Sequence, residues 1–314
     1  MTITINQSRL ELRPANQGTV TISFQRTLRI PDDGRAYPLP PGLGEFPLRH
    51  VRDYAHRVPA AWAKRGGVLL PMYQREAMWL SFGGSEHALQ IGIGKVCAVS
   101  GEPWSDHLRA DPQNYVVTGT QPWLDGIASG KGTIRQFVAM PLGKGLTVEA
   151  QITGKEEHGG IQLQAFAPKP GRIARMERRS RSAAAVAMDD CCALECESSA
   201  MGLGAGGTME QNVYPDPHGI DTWDPSASTR VFVHIVNSEM WHQITGEAPP
   251  PSPVSAQSYI DAGLPWFSLY DEGAKTIAPT SKLAGVKSIE QLEQQKLNVK
   301  KLPWTGKLVD DGEW

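Results

Sequence analysis

Apolar side chains recur at every second position where the chain first becomes patterned: in TVTISFQRTLRI (19–30), Val20, Ile22 and Phe24 alternate with Thr21, Ser23 and Gln25. A period of two is what a strand with one buried face requires. The next stretch, PDDGRAYPLPPGLGEFP (31–47), is rich in proline, which has no amide to give a ladder, and is expected to be an ordered surface loop. In LRHVRDYAHRVPAAWAKRG (48–66), Leu48, Val51, Tyr54, Ala55 and Val58 fall at helical spacing, Pro59 interrupts, and Gly66-Gly67 closes the segment. One or two short helices are expected there.

From about 68 to 167 the pattern is strand, turn, strand: EAMWLSF, ALQIGIGKVCAVS, YVVTG, PWLDGIAS, TIRQFVAM, LTVEAQITG and IQLQAFAP, separated by Gly- and Pro-rich turns. Short spacing of this kind belongs to antiparallel sandwiches and barrels rather than to βαβ units. LTVEAQITG has helix formers, but its β-branched residues and flanking glycines read as a strand. Residues 1–168 are therefore expected to be the first part of a β-rich core. Residues 169–206 break the pattern with a basic block (Lys169, Arg172, Arg175, Arg178, Arg179, Arg181), Ala/Ser filler and an acidic block (Asp189, Asp190, Glu195, Glu197), and read as a flexible linker or surface loop. Two further strands, TMEQNVYPD and RVFVHIVN, and a short helix from Ser238 would complete the core over 207–247. Residues 248–314 open with PPPSP and carry Trp266, Phe267, Leu269 and Tyr270, too apolar to stay in water, so this proline-led tail with short helices, the last at SIEQLEQQ, must dock on something. The expected class is mainly β, α+β at most: an antiparallel β-sandwich or barrel-like sheets with a few short helices and a C-terminal docking tail.

Composition narrows the setting. Hydrophobic residues are 40%, charged residues 20% and the formal net charge is -2, which is ordinary globular usage with no overall field for nucleic acid or anionic membrane. No run reaches the ~18 to 20 apolar residues of a membrane span, and the N-terminus lacks a charged region followed by an apolar one. Four clustered cysteines are too few for a disulfide framework, so reduced thiols and a cytoplasmic location are expected.

Candidate chemistry is sparse. GLGAGG (202–207) matches G-x-G-x-x-G, yet a strand rather than a helix is expected after it, so a phosphate loop is disfavoured. GIASGKGT (126–133) reads as a hairpin turn with Lys131 in solvent. Cys191, Cys192 and Cys196 are candidate metal or redox thiols, although adjacent cysteines diverge and a closed zinc site wants four ligands. Asp216, His218, Asp221 and Asp224 in DPHGIDTWD are candidate ligands for a divalent cation, set against the use of Asp in turns to bond its own backbone. His234, Glu239 and His242 are candidate proton carriers, with Glu239 and His242 sharing a helix face. The arginine block has no interleaved aromatic platform and reads as a solvated loop rather than a nucleic-acid surface. Nine tryptophans, several beside proline, suit a recognition surface. Three function classes follow: a non-enzymatic binding or assembly module engaging a protein partner or a second copy, a metal-dependent hydrolase using the Asp/His loop, and a cysteine-based metal or redox sensor.

Overall fold

Because alternation dominates the chain, its strands join edge to edge into one sheet. The computed structural model describes residues 2–172, 200–253 and 276–297. The strands are β1 (Thr2–Asn6), β2 (Arg9–Arg13), β3 (Val20–Thr27), β4 (Ala36–Tyr37), β5 (Arg49–His50), β6 (Val68–Met72), β7 (Ala77–Gly84), β8 (Ala88–Ile93), β9 (Val96–Cys97), β10 (Val116–Val117), β11 (Trp123–Leu124), β12 (Gly126–Gly130), β13 (Thr133–Pro141), β14 (Ile161–Pro168), β15 (Ala200–Glu210) and β16 (Trp223–Asn237). Among the described residues, short α-helices accompany them: α1 (Ala60–Arg65), α2 (Val148–Thr153), α3 (Ser238–Thr245), α4 (Ser281–Ala284) and α5 (Ile289–Leu297). The sheet runs β1-β2-β3-β7-β13-β15-β16-β14-β8-β10. Pairing is antiparallel except where β4 lies along β15 and β6 along β16. The fold is thus mainly β, as the alternation predicts.

The two wings meet narrowly, β15 and β16 pairing only at Ala200–Val236 and Met201–Ile235. Yet Leu10, Ile22, Phe24 and Leu80 of one wing share one buried cluster with Leu89, Ile91, Leu163 and Val231 of the other. The sheet therefore curls so that both inner faces bury against each other, and hydrophobic burial across that interior holds the curl.

Three local expectations are corrected. LTVEAQITG is not a strand but α2: Thr147 caps it by accepting from the Ala150 amide, and Gly154 ends it in the left-handed conformation. The cap and the left-handed glycine outweigh the β-branched side chains. Of the segment given to a flexible linker, residues 173–199 lie outside the described residues and residues 200–206 are strand instead, because β15 begins at Ala200. Its buried alternation, Met201, Leu203 and Ala205, is masked in sequence by glycines that admit neighbours: a Cβ at Gly204 would lie 2.9 Å from the Leu146 carbonyl oxygen, and one at Gly207 2.4 Å from that of Pro31. The GLGAGG run is thus strand backbone paired to β13, not a phosphate loop. The second half of the loop 31–47 is packed rather than superficial: Leu39 and Phe46 are fully buried, and the Phe46 amide donates to the Phe24 carbonyl at 2.8 Å.

The expected strand TMEQNVYPD continues β15 only as far as Glu210, after which the chain is irregular. Several other expectations agree with the structure. Gly130 and Thr133 close the β12–β13 hairpin around Lys131. Pro59 precedes α1, and α3 runs to Gly246, capped by Asn237 rather than by Ser238. Residues 276–297 dock on the core: Leu283 is buried in the main cluster, Ile289 packs with Val138 and Met140, and the Ile277 amide donates to the Val213 carbonyl at 2.7 Å. Trp266, Phe267, Leu269 and Tyr270 lie outside the described residues. No helix among the described residues is long and apolar enough to cross a membrane.

Candidate ligand-binding face

The outer face of β8, β14 and β16 is where polar chemistry collects. Register fixes three rows across it: Ala88, Phe166 and Ser228; Gln90, Gln164 and Arg230; Gly92, Gln162 and Phe232. The intervening residues Leu89, Ile91, Ile161, Leu163, Val231 and Val233 point the other way into the core, so the alternation that builds the sheet also places every one of these polar groups on one surface. Each end is sealed by apolar packing. At one, Ala88 and Phe166 join Tyr115, Val117 and Trp223; at the other, Leu69 and Val236 join Trp62 and Trp241 beneath α1 and α3.

Between the seals Arg230 is the organising group. Its guanidinium lies 5.2 Å from the Trp104 ring centre and 4.9 Å from that of Phe232, within cation–π range of both. It donates to Asp106 Oδ1 at 2.7 Å, and the Trp104 indole N–H donates to the same oxygen at 2.8 Å. A further guanidinium N–H goes to Gln162, whose amide in turn donates to the Gly94 carbonyl. Arg230 Nε, Gln90 Oε1 and Gln164 Oε1, all in the middle row, are buried and have no hydrogen-bond partner among the described residues. Such atoms call for water or a ligand.

Further charged groups of both signs stand nearby. Arg65, from the last turn of α1, stands 5.4 Å from the Phe232 ring centre. His158 sits 3.4 Å from the buried Glu149 carboxylate, which itself accepts from the backbone amides of Lys95 and Gly159. Burial holds His158 below its ordinary value; Glu149 opposes that, while Lys95 and Arg65 act with it. The Trp104 amide is anchored on the Lys95 carbonyl at 2.8 Å. Trp104 approaches the sheet this closely only because residue 92 is glycine: a Cβ there would come within 2.5 Å of the indole and 2.8 Å of Gln162. Gly92→Ala is expected to cost about 1–3 kcal/mol by overpacking and to lift Trp104 from the sheet, read as a lower Tm with a red-shifted emission. A variant with unchanged Tm and emission would mean the indole is not seated there.

No family model, curated protein or solved structure matches the chain. Function must therefore be read from the residues.

The sequence-derived candidates are distributed as follows. Asp216 is committed to packing: its Oδ2 accepts from the Tyr115 hydroxyl at 2.6 Å and the Trp223 indole at 2.8 Å, and its Oδ1 from the His218 amide. Burial and Asp216 together push the Tyr115 hydroxyl far up. Asp224 accepts from Ser226 within the irregular first part of β16, and Asp221 is exposed in the 3-10 turn Ile220–Thr222. His218 instead meets Glu86, a residue distant in sequence. The four do not converge, and among the described residues no group of three or more His, Cys, Asp or Glu is arranged to hold a metal ion. His234 stacks on Trp62 at 4.7 Å and bonds the Gly66 carbonyl through Nε2. Desolvation lowers it to about 4. Glu239 and His242 are exposed on α3, where His242 Nδ1 lies 3.2 Å from the Glu247 carbonyl, and no hydrogen bond or ion pair joins them to His234. Cys191, Cys192 and Cys196 lie outside the described residues, as does most of the arginine block. The face around Arg230 was missed because Gln162, Gln164, Arg230 and Phe232 read as the solvated positions of ordinary strands. The available signal was that Phe232 and His234 break the polar alternation in RVFVHIVN.

Proposed function

We propose that the chain is a binding module that engages a protein partner through acidic side chains at the face built on Arg230. The observation that carries this reading is the guanidinium of Arg230 between Trp104 and Phe232 on a rigid sheet, with Arg65 against the same Phe232 ring. Arginine and tryptophan on a stiff frame are what energetically dominant interface positions use, since little side-chain entropy remains to be lost on binding. A protein suits this face better than a nucleic acid. The ring faces a base would stack on already carry guanidinium groups. The free thiol Cys97 is buried and held up by desolvation, which fits residence in a reducing cytoplasm.

Acidic peptides selected by display against the full chain supply the test. Their affinity is expected to fall by more than about tenfold in Arg65→Glu and in Lys95→Glu, and to weaken with salt. Binding that ignores both reversals would sink the assignment of this face. A single-stranded oligonucleotide that bound more tightly than any selected peptide, and lost affinity in the same variants, would overturn the choice of partner.

A further inference from the structure

Glu86, in the turn between β7 and β8, carries a carboxylate that is 4% exposed, and among the described residues neither Oε1 nor Oε2 has a hydrogen-bond partner. His218 Nε2 lies 3.3 Å from Oε2 without forming a hydrogen bond to it. A buried carboxylate left in this state is unfavourable unless a cation completes it.

We infer that Glu86 and His218 bind one divalent ion of the zinc class, with water or a donor atom from a bound ligand filling the remaining positions. An imidazole nitrogen and a carboxylate oxygen are a suitable donor pair for such borderline ions. On a tetrahedral ion with bonds of about 2.0–2.1 Å, neighbouring ligand atoms stand roughly 3.3 Å apart. That matches the 3.3 Å between Nε2 and Oε2. The histidine is also pre-positioned. Its amide donates to Asp216 Oδ1 at 2.8 Å, its carbonyl accepts from the Thr222 hydroxyl at 2.9 Å, and its ring stands edge-on to Trp223 at 6.0 Å. Asp216, locked by Tyr115 and Trp223, thus acts as an outer support of the kind metal-binding histidines rely on. On the other side the wall is bare main chain: a Cβ at exposed Gly119 would lie 2.2 Å from Glu86 Oε1. Of the loop cluster expected from sequence, only His218 is retained as a ligand; Glu86 replaces the aspartates. The site is independent of the Arg230 face.

Calorimetric titration of the full chain with Zn²⁺, and with Co²⁺ followed by absorption, tests this. Wild type, Asp221→Ala, and a chain carrying Cys191→Ser, Cys192→Ser and Cys196→Ser are expected to take up one ion each. The Co²⁺ spectrum should lack thiolate charge-transfer bands. Affinity should weaken by at least about tenfold in Glu86→Gln and in His218→Gln. Without metal, Glu86→Gln is expected to melt at or above wild type, because it removes a buried carboxylate that has no hydrogen bond among the described residues, and to lose the zinc-induced rise in Tm; this reads the site in a folded variant. Three results would overturn the assignment: no stoichiometric uptake, uptake unchanged in both Glu86→Gln and His218→Gln, or uptake that disappears with the three cysteines.

Discussion

Arg26→Met is expected to destabilise the fold by about 3–5 kcal/mol, the usual consequence of leaving a buried charge without its partner. Arg26 on β3 reaches Glu76, just before β7, through two N–H groups to Oε1 at 2.8 and 2.6 Å. Glu76 also accepts from the Tyr73 amide at 2.9 Å, and its side chain is only 1% exposed. The same guanidinium lies 5.6 Å from the Phe46 ring centre and donates to the Pro251 carbonyl, so it ties the loop 31–47 and the start of the C-terminal segment to the sheet. Methionine keeps the aliphatic packing but leaves the Glu76 carboxylate stranded, and thermal melting should fall by roughly 5–15 °C. Adding Glu76→Gln to Arg26→Met should recover more than half of the loss, because the stranded charge goes while the Tyr73 contact can stay. A double variant no better than Arg26→Met would mean that packing, not charge, fixes this corner.

The contrast between this corner and the strands shows what was legible in the sequence. Val20, Ile22 and Phe24 announce β3 because burial on one face imposes a period of two, which survives in the residue order. The partner of Arg26, fifty residues along the chain, is announced by nothing local. Misread elements fail for the same kind of reason. In α2 the Thr147 cap and the left-handed Gly154 decide the conformation, whereas the β-branched Val148, Ile152 and Thr153 pull the local reading towards strand. In β15 the glycines at 202, 204, 206 and 207 hide a strand whose side-chain-free positions admit α2, α5 and the Pro31 carbonyl.

Site chemistry was less legible still. DPHGIDTWD concentrates Asp and His, but chain proximity is not convergence: Asp216 turns inward to Tyr115 and Trp223, Asp224 turns on Ser226, and His218 crosses to Glu86. The Arg230 face is assembled from β8, β14, β16, α1 and the segment around Trp104, so its charges and rings come together only through sheet register. Long-range pairing sets both candidate sites, and a single sequence does not display long-range pairing.

His234 gives the second large effect, and it lies on the pH axis. The residue is 4% exposed, stacks on Trp62, and is lowered to about 4, chiefly by desolvation. Its unfolded counterpart titrates near 6.5, so over the interval between these values the unfolded chain binds more protons than the folded one. Stability from the neutral ring is therefore complete above about pH 6.5 and is lost as pH falls towards 4, by about 2.5 kcal/mol between pH 7.5 and pH 4.5. Burial also lowers His50, His87 and His158, whose contributions run the same way. His234→Phe isolates the one residue: the ring stack on Trp62 is retained and the titration is removed. At pH 7.5 the variant should be less stable, since the Gly66 carbonyl loses its donor, at a cost of about 1–3 kcal/mol. Urea unfolding at both pH values should show a pH-dependent loss smaller than in wild type by about 2.5 kcal/mol. Carboxylate titration and the other histidines are common to both proteins and cancel in the difference. An equal loss in the two would mean that His234 takes up its proton without strain in the folded chain, and that the stack under Trp62 opens to water before the sheet does.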